Sequence, residues 1–71
     1  QDTAVFSSLG SLCVQEKRYE EAVDALSRLV ELDPGNARAY VNLGIAYERL
    51  GRMDEAASAY ARAVELAPRR E

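Results

Sequence analysis

Residues 39–68 read AYVNLGIAYERLGRMDEAASAYARAVELAP, and residues 5–34 read VFSSLGSLCVQEKRYEEAVDALSRLVELDP. The second stretch is a variant of the first, and the two align when Pro34 is moved along the chain onto Pro68. We call this displacement of 34 residues the repeat shift. The residues that are identical after it include Leu9 and Leu43, Gly10 and Gly44, Ala22 and Ala56, Arg28 and Arg62, and Leu32 and Leu66. A fixed period of this length indicates a stacked repeat architecture in which neighbouring units share one core.

The apolar residues of each unit recur at spacings of three, four and seven, which is the pattern of an amphipathic helix. This pattern predicts four helices, over residues 3–15, 20–32, 37–50 and 54–67. The predicted fold class is all-α, an α-solenoid of two antiparallel helix-turn-helix hairpins. The hairpins occupy residues 3–34 and 37–70 and together form one domain. The predicted core faces of the first helices carry Phe6, Leu9 and Cys13 in one hairpin and Tyr40, Leu43 and Tyr47 in the other.

The breaks between helices have local causes. Residues 33–36 cannot continue a helix, because Pro34 disfavours helical geometry in the preceding residue and Gly35 suits a turn. Asn36 is then a good N-cap for the third helix. Gly51 is a plausible terminator of that helix. The matching break of the first unit, at Lys17, has no glycine, so the sequence leaves its geometry open.

Two glycines lie inside predicted helices, at Gly10 and Gly44. Glycine within a helix costs about 1 kcal/mol relative to alanine, so a compensating contact is expected. A small residue follows each glycine after twelve positions, at Ala22 and Ala56. We therefore predict a close approach between the two helices of each hairpin.

Charge and composition limit the classes of partner. The net charge is −3, and residues 1–34 carry four more acids than bases. A protein that binds the phosphate backbone normally presents a basic stripe, so this balance disfavours an RNA-binding helical repeat. No stretch has the roughly 18 apolar residues that span a membrane. The sequence does not identify a compartment, although it favours the cytoplasm.

Catalytic chemistry is also disfavoured. The chain has no histidine, so the commonest general base is missing. The one cysteine, Cys13, cannot form an intramolecular disulfide, and its place on the core face predicts a buried, inert thiol. The acids at 20, 21 and 24 open a helix, where negative charge is favourable, and do not form a metal-binding loop. We expect no enzymatic activity, no cofactor and no metal.

The residues of both repeat units resemble the pattern of a known family. The second unit contains Tyr40-x2-Leu43-Gly44-x2-Tyr47, then Ala56-x3-Tyr60, then Pro68. This pattern and its period resemble the tetratricopeptide repeat. The first unit is similar but looser, with Phe6-x2-Leu9-Gly10-x2-Cys13, then Ala22-x3-Leu26, then Pro34. It departs from the family pattern at Cys13, Leu26 and Leu29.

The resemblance implies protein–protein binding in a concave groove lined by the first helix of each hairpin. The groove residues that it implies here are Arg38, Val41, Asn42, Ile45 and Arg49, with Ser7 and Ser11 from the first unit. Asn42 would hydrogen-bond the backbone of a bound peptide, and the arginines would pair with acidic groups. The alternative for all three polar residues is simple solvation. Since Ser7 and Ser11 carry no charge, we do not expect the clamp that some family members use for a chaperone's C-terminal carboxylate.

A second hypothesis is structural. The last helix presents Ala57, Ala61 and Val64, and no polar capping helix follows them, although stacked repeats usually require one. This apolar end predicts self-association, or stacking inside a longer array of which the chain is expected to be a part. Two repeats are also fewer than the three that normally make a stable stack. The sequence identifies neither a specific partner nor a parent protein.

Overall fold

A computed structural model of the protein describes residues 3–67. The chain forms four α-helices: α1 (Thr3–Gln15), α2 (Tyr19–Leu32), α3 (Ala37–Arg49) and α4 (Met53–Leu66). The predicted all-α fold of two helical hairpins is confirmed. Helices α2 and α4 each begin one residue earlier than predicted, and α3 and α4 each end one residue earlier. Pro68 and the end of the predicted second unit lie outside the described residues.

Consecutive helices pack against one another. Helix α1 packs on α2, α2 on α3, and α3 on α4, while α1 also lies beside α3. The connecting turns are only three or four residues long, so neighbouring helices run antiparallel. Within the described chain, α4 packs against α3 alone. Helix α2 is therefore covered on both sides, whereas α4 is covered on one side only within residues 3–67.

The two hairpin turns have the same geometry despite different residues. Lys17 and Gly51 are equivalent positions after the repeat shift, and their φ angles are 64° and 82°. In each turn the next amide donates a hydrogen bond of 2.8 Å to the carbonyl five residues earlier, from Arg18 to Cys13 and from Arg52 to Tyr47. This is the left-handed helix termination that glycine normally provides. The predicted role of Gly51 is confirmed, and Lys17 performs the same role without being glycine.

The turn between the hairpins is capped as predicted. The side-chain Oδ1 of Asn36 accepts a hydrogen bond of 3.0 Å from the Ala39 amide. This bond satisfies one of the amides that have no partner in the first turn of α3. Asn36 therefore fixes where α3 begins, directly after the turn.

The core is made mostly of alanine with three leucines. Leu26 and Leu29 are the largest fully buried side chains. The other buried apolar residues are Cys13, Ala22, Ala25, Ala39, Leu43, Ala46, Ala56, Ala59 and Ala63. The predicted burial of the Cys13 thiol is confirmed. Two of the three positions where the first unit departs from the family pattern, Leu26 and Leu29, are thus the largest fully buried side chains of the core.

The helical glycines mark a close approach within each hairpin, as predicted. An added Cβ at Gly10 would lie 2.7 Å from Cγ of Leu26, and one at Gly44 would lie 2.6 Å from Cε1 of Tyr60. Real Cβ atoms essentially never come that near to another heavy atom. The nearest atoms belong to Leu26 and Tyr60, sixteen residues after each glycine, whereas the sequence spacing had pointed to Ala22 and Ala56.

Candidate functional site

A stripe of four residues runs along the length of α3. Arg38, Asn42, Ile45 and Arg49 follow one another at spacings of four, three and four, which places them on the same side of the helix. Both arginines are exposed, and Asn42 and Ile45 are half-buried. Val41 lies beside these four residues and is also exposed. We call these five residues the α3 stripe.

The other side of α3 faces the core. Ala39, Leu43 and Ala46 are almost completely buried there. Tyr40 and Tyr47 are half-buried and pack against the core cluster. The division of α3 into a core face and a partly exposed opposite face therefore agrees with the helical spacing in the sequence.

The polar side chains of the α3 stripe have no hydrogen-bond or salt-bridge partner within residues 3–67. Within residues 3–67 the Asn42 amide makes no side-chain hydrogen bond, and neither Arg38 nor Arg49 forms a salt bridge. The salt bridges of this part of the chain are instead exposed pairs within one helix turn, such as Arg52 with Glu55 at 2.8 Å. A carboxamide can donate to a carbonyl and accept from an amide at once, which matches a peptide unit.

The residues of α1 that were predicted to share this surface are polar. Ser7 is half-buried and Ser11 is exposed. Since α1 lies beside α3, the fold brings the two helices that carry the predicted residues together. The repeat shift carries Ser7 onto Val41 and Ser11 onto Ile45. At these equivalent positions α1 therefore presents hydroxyl groups, whereas α3 presents aliphatic groups.

Electrostatics near the end of α3 centre on Tyr60. Its hydroxyl donates a hydrogen bond of 3.0 Å to Oε1 of Glu48. Burial, and then this hydrogen bond, raise the pKa of the Tyr60 hydroxyl above its ordinary value, while the charge of Arg49 opposes the shift. Glu48 is next to Arg49 in the chain, so this contact anchors the C-terminal end of α3 to α4.

Two clefts lie away from the α3 stripe. The larger, about 880 Å³, lies between α1 and α2. We call it the N-terminal cleft. Its apolar lining comes from Phe6, Leu9, Leu12, Cys13 and Ala25. The second, about 510 Å³, is lined by residues of α2, α3 and α4. Neither cleft includes a residue predicted to bind a partner.

In the N-terminal cleft one predicted core residue is exposed, and one apolar residue is present that the sequence analysis did not identify. Leu9 was predicted on a core face but is exposed, because no helix of the described chain covers this side of α1. Leu12 is exposed beside it and was not identified from the sequence. The repeat could have identified Leu12 as a residue on an apolar surface. The repeat shift aligns Leu12 with Ala46, which is fully buried.

The predicted self-association residues lie on the open side of α4. Ala57, Ala61 and Val64 are all exposed, and Val64 is 75% exposed. Met53 is exposed on the same helix. Because α4 contacts only α3, nothing in the described chain covers these residues. The chain therefore has an apolar surface at each end, the N-terminal cleft and this face of α4.

Metal-binding and membrane-spanning features are absent from residues 3–67. This part of the chain contains no cluster of three or more acidic, cysteine or histidine residues that could hold a metal ion. None of its four helices is both long enough and apolar enough to cross a bilayer.

Known proteins match this chain over most of its length. A segment of the Hsp70-Hsp90 organising protein of Plasmodium falciparum is 46% identical over 48 residues, which is 68% of this chain and 19% of that protein. The heat shock protein STI1 of Saccharomyces cerevisiae is 31% identical over 62 residues, or 87% of this chain and 10% of that protein. A tetratricopeptide repeat-containing protein of Caenorhabditis elegans, trd-1, is 36% identical over 61 residues, or 86% of this chain and 8% of that protein.

The chain thus spans less than a fifth of the length of these curated relatives. The sequence model described as Tetratricopeptide repeat matches residues 8–71. That match covers the glycines, the alanines and the prolines that coincide after the repeat shift. The chain belongs to the tetratricopeptide repeat family.

Proposed function

We propose that this chain is a non-catalytic protein-binding module that takes an extended peptide or a partner helix along the α3 stripe. The observation that carries the proposal is the Asn42 amide, which has no side-chain partner in residues 3–67 and lies between two unpaired arginines. Family membership supports binding to protein in preference to a small substrate. The acidic first half of the chain argues against a nucleic acid as ligand.

The chemistry of the stripe suggests what the ligand looks like. Asn42 would hold a backbone unit, and Ile45 and Val41 would cover an apolar side chain. Arg38 and Arg49 stand eleven residues apart, so a helical rise of about 1.5 Å per residue separates their Cα atoms by roughly 16 Å. A ligand that uses both arginines therefore needs acidic groups that far apart, with an apolar residue between them.

The relatives indicate where to look for such a ligand. One relative's name says that it organises Hsp70 and Hsp90, and another is named as a heat shock protein. Chaperone segments are therefore reasonable first probes for this chain. Ser7 and Ser11 lack the charge needed to grip a terminal carboxylate on α1, so we expect an internal acidic and apolar segment to bind better than a free C-terminus.

The proposal can be tested with labelled peptides and backbone NMR. The probes are chaperone-derived peptides with a free or an amidated C-terminus, and a matched amphipathic helical peptide. We expect chemical-shift changes to concentrate on α3 around Asn42, with little difference between the free and amidated forms. Asn42→Ala should weaken binding by about fivefold or more, since one lost hydrogen bond at a desolvated site costs about 1–3 kcal/mol.

The matched control is Arg28→Ala, which removes an exposed arginine from α2 away from the stripe. It should leave the affinity unchanged, whereas Arg38→Ala should lower it and reduce its salt dependence. Shift changes that map to α2 and α4, or equal effects of Arg28→Ala and Arg38→Ala, would argue against the α3 stripe as the binding surface.

A further inference from the structure

The two helices that carry the predicted groove residues, α1 and α3, have a single acid between them. Helix α1 has no charged residue, and α3 has Arg38, Arg49 and one acid, Glu48. Glu48 is exposed. It follows Val41 by seven residues, close to two full helix turns, so both lie on the same edge of α3. Glu48 therefore adds a carboxylate to the edge of the α3 stripe that Val41 occupies.

The Glu48 carboxylate is held from α4. The Tyr60 hydroxyl donates a hydrogen bond of 3.0 Å to its Oε1. The Tyr60 ring packs directly on Gly44, where an added Cβ would lie 2.6 Å from Cε1 and 2.8 Å from Cζ. Gly44 lies one turn before Glu48, on the same side of α3. Ring and hydroxyl together thus restrict a charged side chain that would otherwise sample several rotamers.

No salt bridge compensates this carboxylate within residues 3–67. Arg52, one turn after Glu48, is held elsewhere. It bonds both carboxylate oxygens of Glu55, at 2.8 and 3.1 Å, and lies 5.1 Å from the centre of the Tyr47 ring. Arg49 is adjacent to Glu48 in the chain, but consecutive side chains of a helix diverge by about 100°. The edge of the stripe therefore carries an uncompensated negative charge.

The first hairpin has no equivalent of this arrangement. The repeat shift aligns Glu48 with Val14 and Tyr60 with Leu26. Both counterparts are apolar, and Leu26 fills the space over Gly10 without a polar group. The hairpin fold thus does not require a held carboxylate at this place, and its presence in the second hairpin calls for another role.

We infer that Glu48 binds a basic side chain of the ligand, and that Tyr60 positions the Glu48 carboxylate for this contact. The inference rests on the proposed binding of a protein segment along the α3 stripe. Tyr60 bonds Oε1 of Glu48, which leaves Oε2 to accept from a lysine or an arginine. Ile45 precedes Glu48 by three residues, or about 4.5 Å of helix rise, so the base lies one or two residues from the apolar group that covers Ile45.

Glu48 also gives the α3 stripe a direction. Arg38 lies at the start of α3, and Glu48 follows it by ten residues, or about 15 Å. A ligand with an acid and a base that far apart lies with its acid towards Arg38 and its base towards Glu48. In the reversed direction the base would face Arg38, and this repulsion disfavours that orientation.

Positioning by Tyr60 increases what the contact contributes. A pair between two freely moving exposed side chains contributes little, because both lose rotamer freedom when they pair. Tyr60 already restricts Glu48 in the unbound chain, so less freedom is lost on binding. Burial, and then the hydrogen bond to Glu48, raise the pKa of the Tyr60 hydroxyl, which therefore remains a donor at neutral pH.

The first test is an array of short random peptides with blocked ends, probed with the original chain and its variants. We expect the bound peptides to be enriched in lysine or arginine within two residues of an apolar residue. Glu48→Gln keeps the shape of the side chain but removes its charge, so it should abolish this enrichment. The control Glu31→Gln removes an exposed acid of α2 and should preserve it. Asn42→Ala should lower the signal of all bound peptides alike.

The second test measures affinity in solution for the most strongly bound peptide, with its base or with glutamine in that place. The glutamine form should bind the original chain about threefold to fivefold more weakly, as for an ion pair at a protein surface. Both forms should bind Glu48→Gln equally. Tyr60→Phe keeps the ring over Gly44 and should reduce the difference to about twofold or less. A purely structural role of Tyr60 would instead weaken both forms by the same factor.

Two groups of results would overturn the inference. If the basic preference is absent, or is the same in Glu48→Gln, then Glu48 does not bind the ligand's base. If Tyr60→Phe discriminates between the two peptides as the original chain does, then Tyr60 does not position Glu48. Both results leave the proposed function intact as long as Asn42→Ala lowers binding. An array with no bound peptide, or an Asn42→Ala variant that binds normally, would overturn the proposed function and this inference with it.

Discussion

Lys17 adopts the left-handed backbone conformation that Gly51 adopts at the equivalent position of the second hairpin. Their φ angles, 64° and 82°, and the hydrogen bonds that follow them are closely matched. The hairpin geometry requires this conformation, and the first hairpin obtains it from a residue that disfavours it. For residues with a Cβ atom the left-handed region costs roughly 1–2 kcal/mol.

Lys17→Gly should therefore stabilise the chain. We expect the free energy of unfolding to rise by about 1 kcal/mol, because glycine removes the strain but is more flexible when unfolded. Gly51→Ala should lower it by about 1 kcal/mol for the opposite reason. Equilibrium urea unfolding at low protein concentration measures both. A Lys17→Gly variant that is no more stable than the original would show that the positive φ of Lys17 carries no strain.

The contact between Gly44 and Tyr60 decides whether Gly44→Ala raises or lowers the free energy of unfolding. Helix propensity alone would make Gly44→Ala stabilising by about 1 kcal/mol. The added Cβ would however lie 2.6 Å from the Tyr60 ring, which the Glu48 hydrogen bond helps to hold in place. We expect a net loss of about 1–3 kcal/mol, as for other overpacked sites.

Two controls separate the steric effect from propensity. Gly35→Ala adds a Cβ where no heavy atom lies within 4 Å, so it should be neutral or mildly stabilising. In a Tyr60→Ala background, Gly44→Ala should become stabilising because the ring is gone. If Gly44→Ala is destabilising in both backgrounds to the same extent, the Tyr60 contact is not the cause.

Asn36 should behave as an N-cap whose acceptor oxygen matters more than its amide. Asn36→Ala removes the 3.0 Å bond to the Ala39 amide and should lower the free energy of unfolding by about 1 kcal/mol. Asn36→Asp keeps an acceptor at the start of α3 and should stay within a few tenths of a kcal/mol of the original. Thermal unfolding followed by circular dichroism measures the pair, and an equal loss in both variants would exclude capping as the explanation.

The raised pKa of Tyr60 predicts a loss of stability in alkali. Below the ordinary tyrosine pKa of 10.0 the Tyr60 hydroxyl is protonated in both the folded and the unfolded chain. Its contribution to the free energy of unfolding is then fully present. As the pH rises through 10.0 towards the higher folded value, the unfolded chain releases its proton first and the free energy of unfolding falls. The difference between the original chain and Tyr60→Phe in urea unfolding should therefore shrink on going from neutral pH to above pH 10.0. A difference that stays constant would mean that Tyr60 titrates normally.

Much of the fold was predictable because its signals are local. The repeat period, the apolar spacings and the turn residues at 33–36 lie within short stretches of chain. They predict the four helices to within one residue at each described end. The exposed and buried sides of α3 were predictable for the same reason, since a helix of known phase fixes which residues share a side.

The contacts between helices were predictable only in part. The spacing from Gly10 to Ala22 correctly indicated a close approach, but the atoms that fill the space belong to Leu26. Lys17 gave no local sign that it would adopt a positive φ, because that conformation is imposed by how α1 and α2 must pack. Binding by Asn42 and its neighbours likewise stays a prediction, since a helix side that can bind has the same sequence pattern as one that is merely solvated.

The sequence by itself thus determined the period, the helices, their apolar sides and the turn between the hairpins. Only the tertiary structure decided which apolar sides are covered. Leu9 and Leu43 occupy the same place in the repeat, yet Leu43 is buried beneath α2 and Leu9 faces an open cleft. The physical reason is that periodicity sets the direction of a side chain from the helix axis, whereas burial depends on whether another helix lies in that direction.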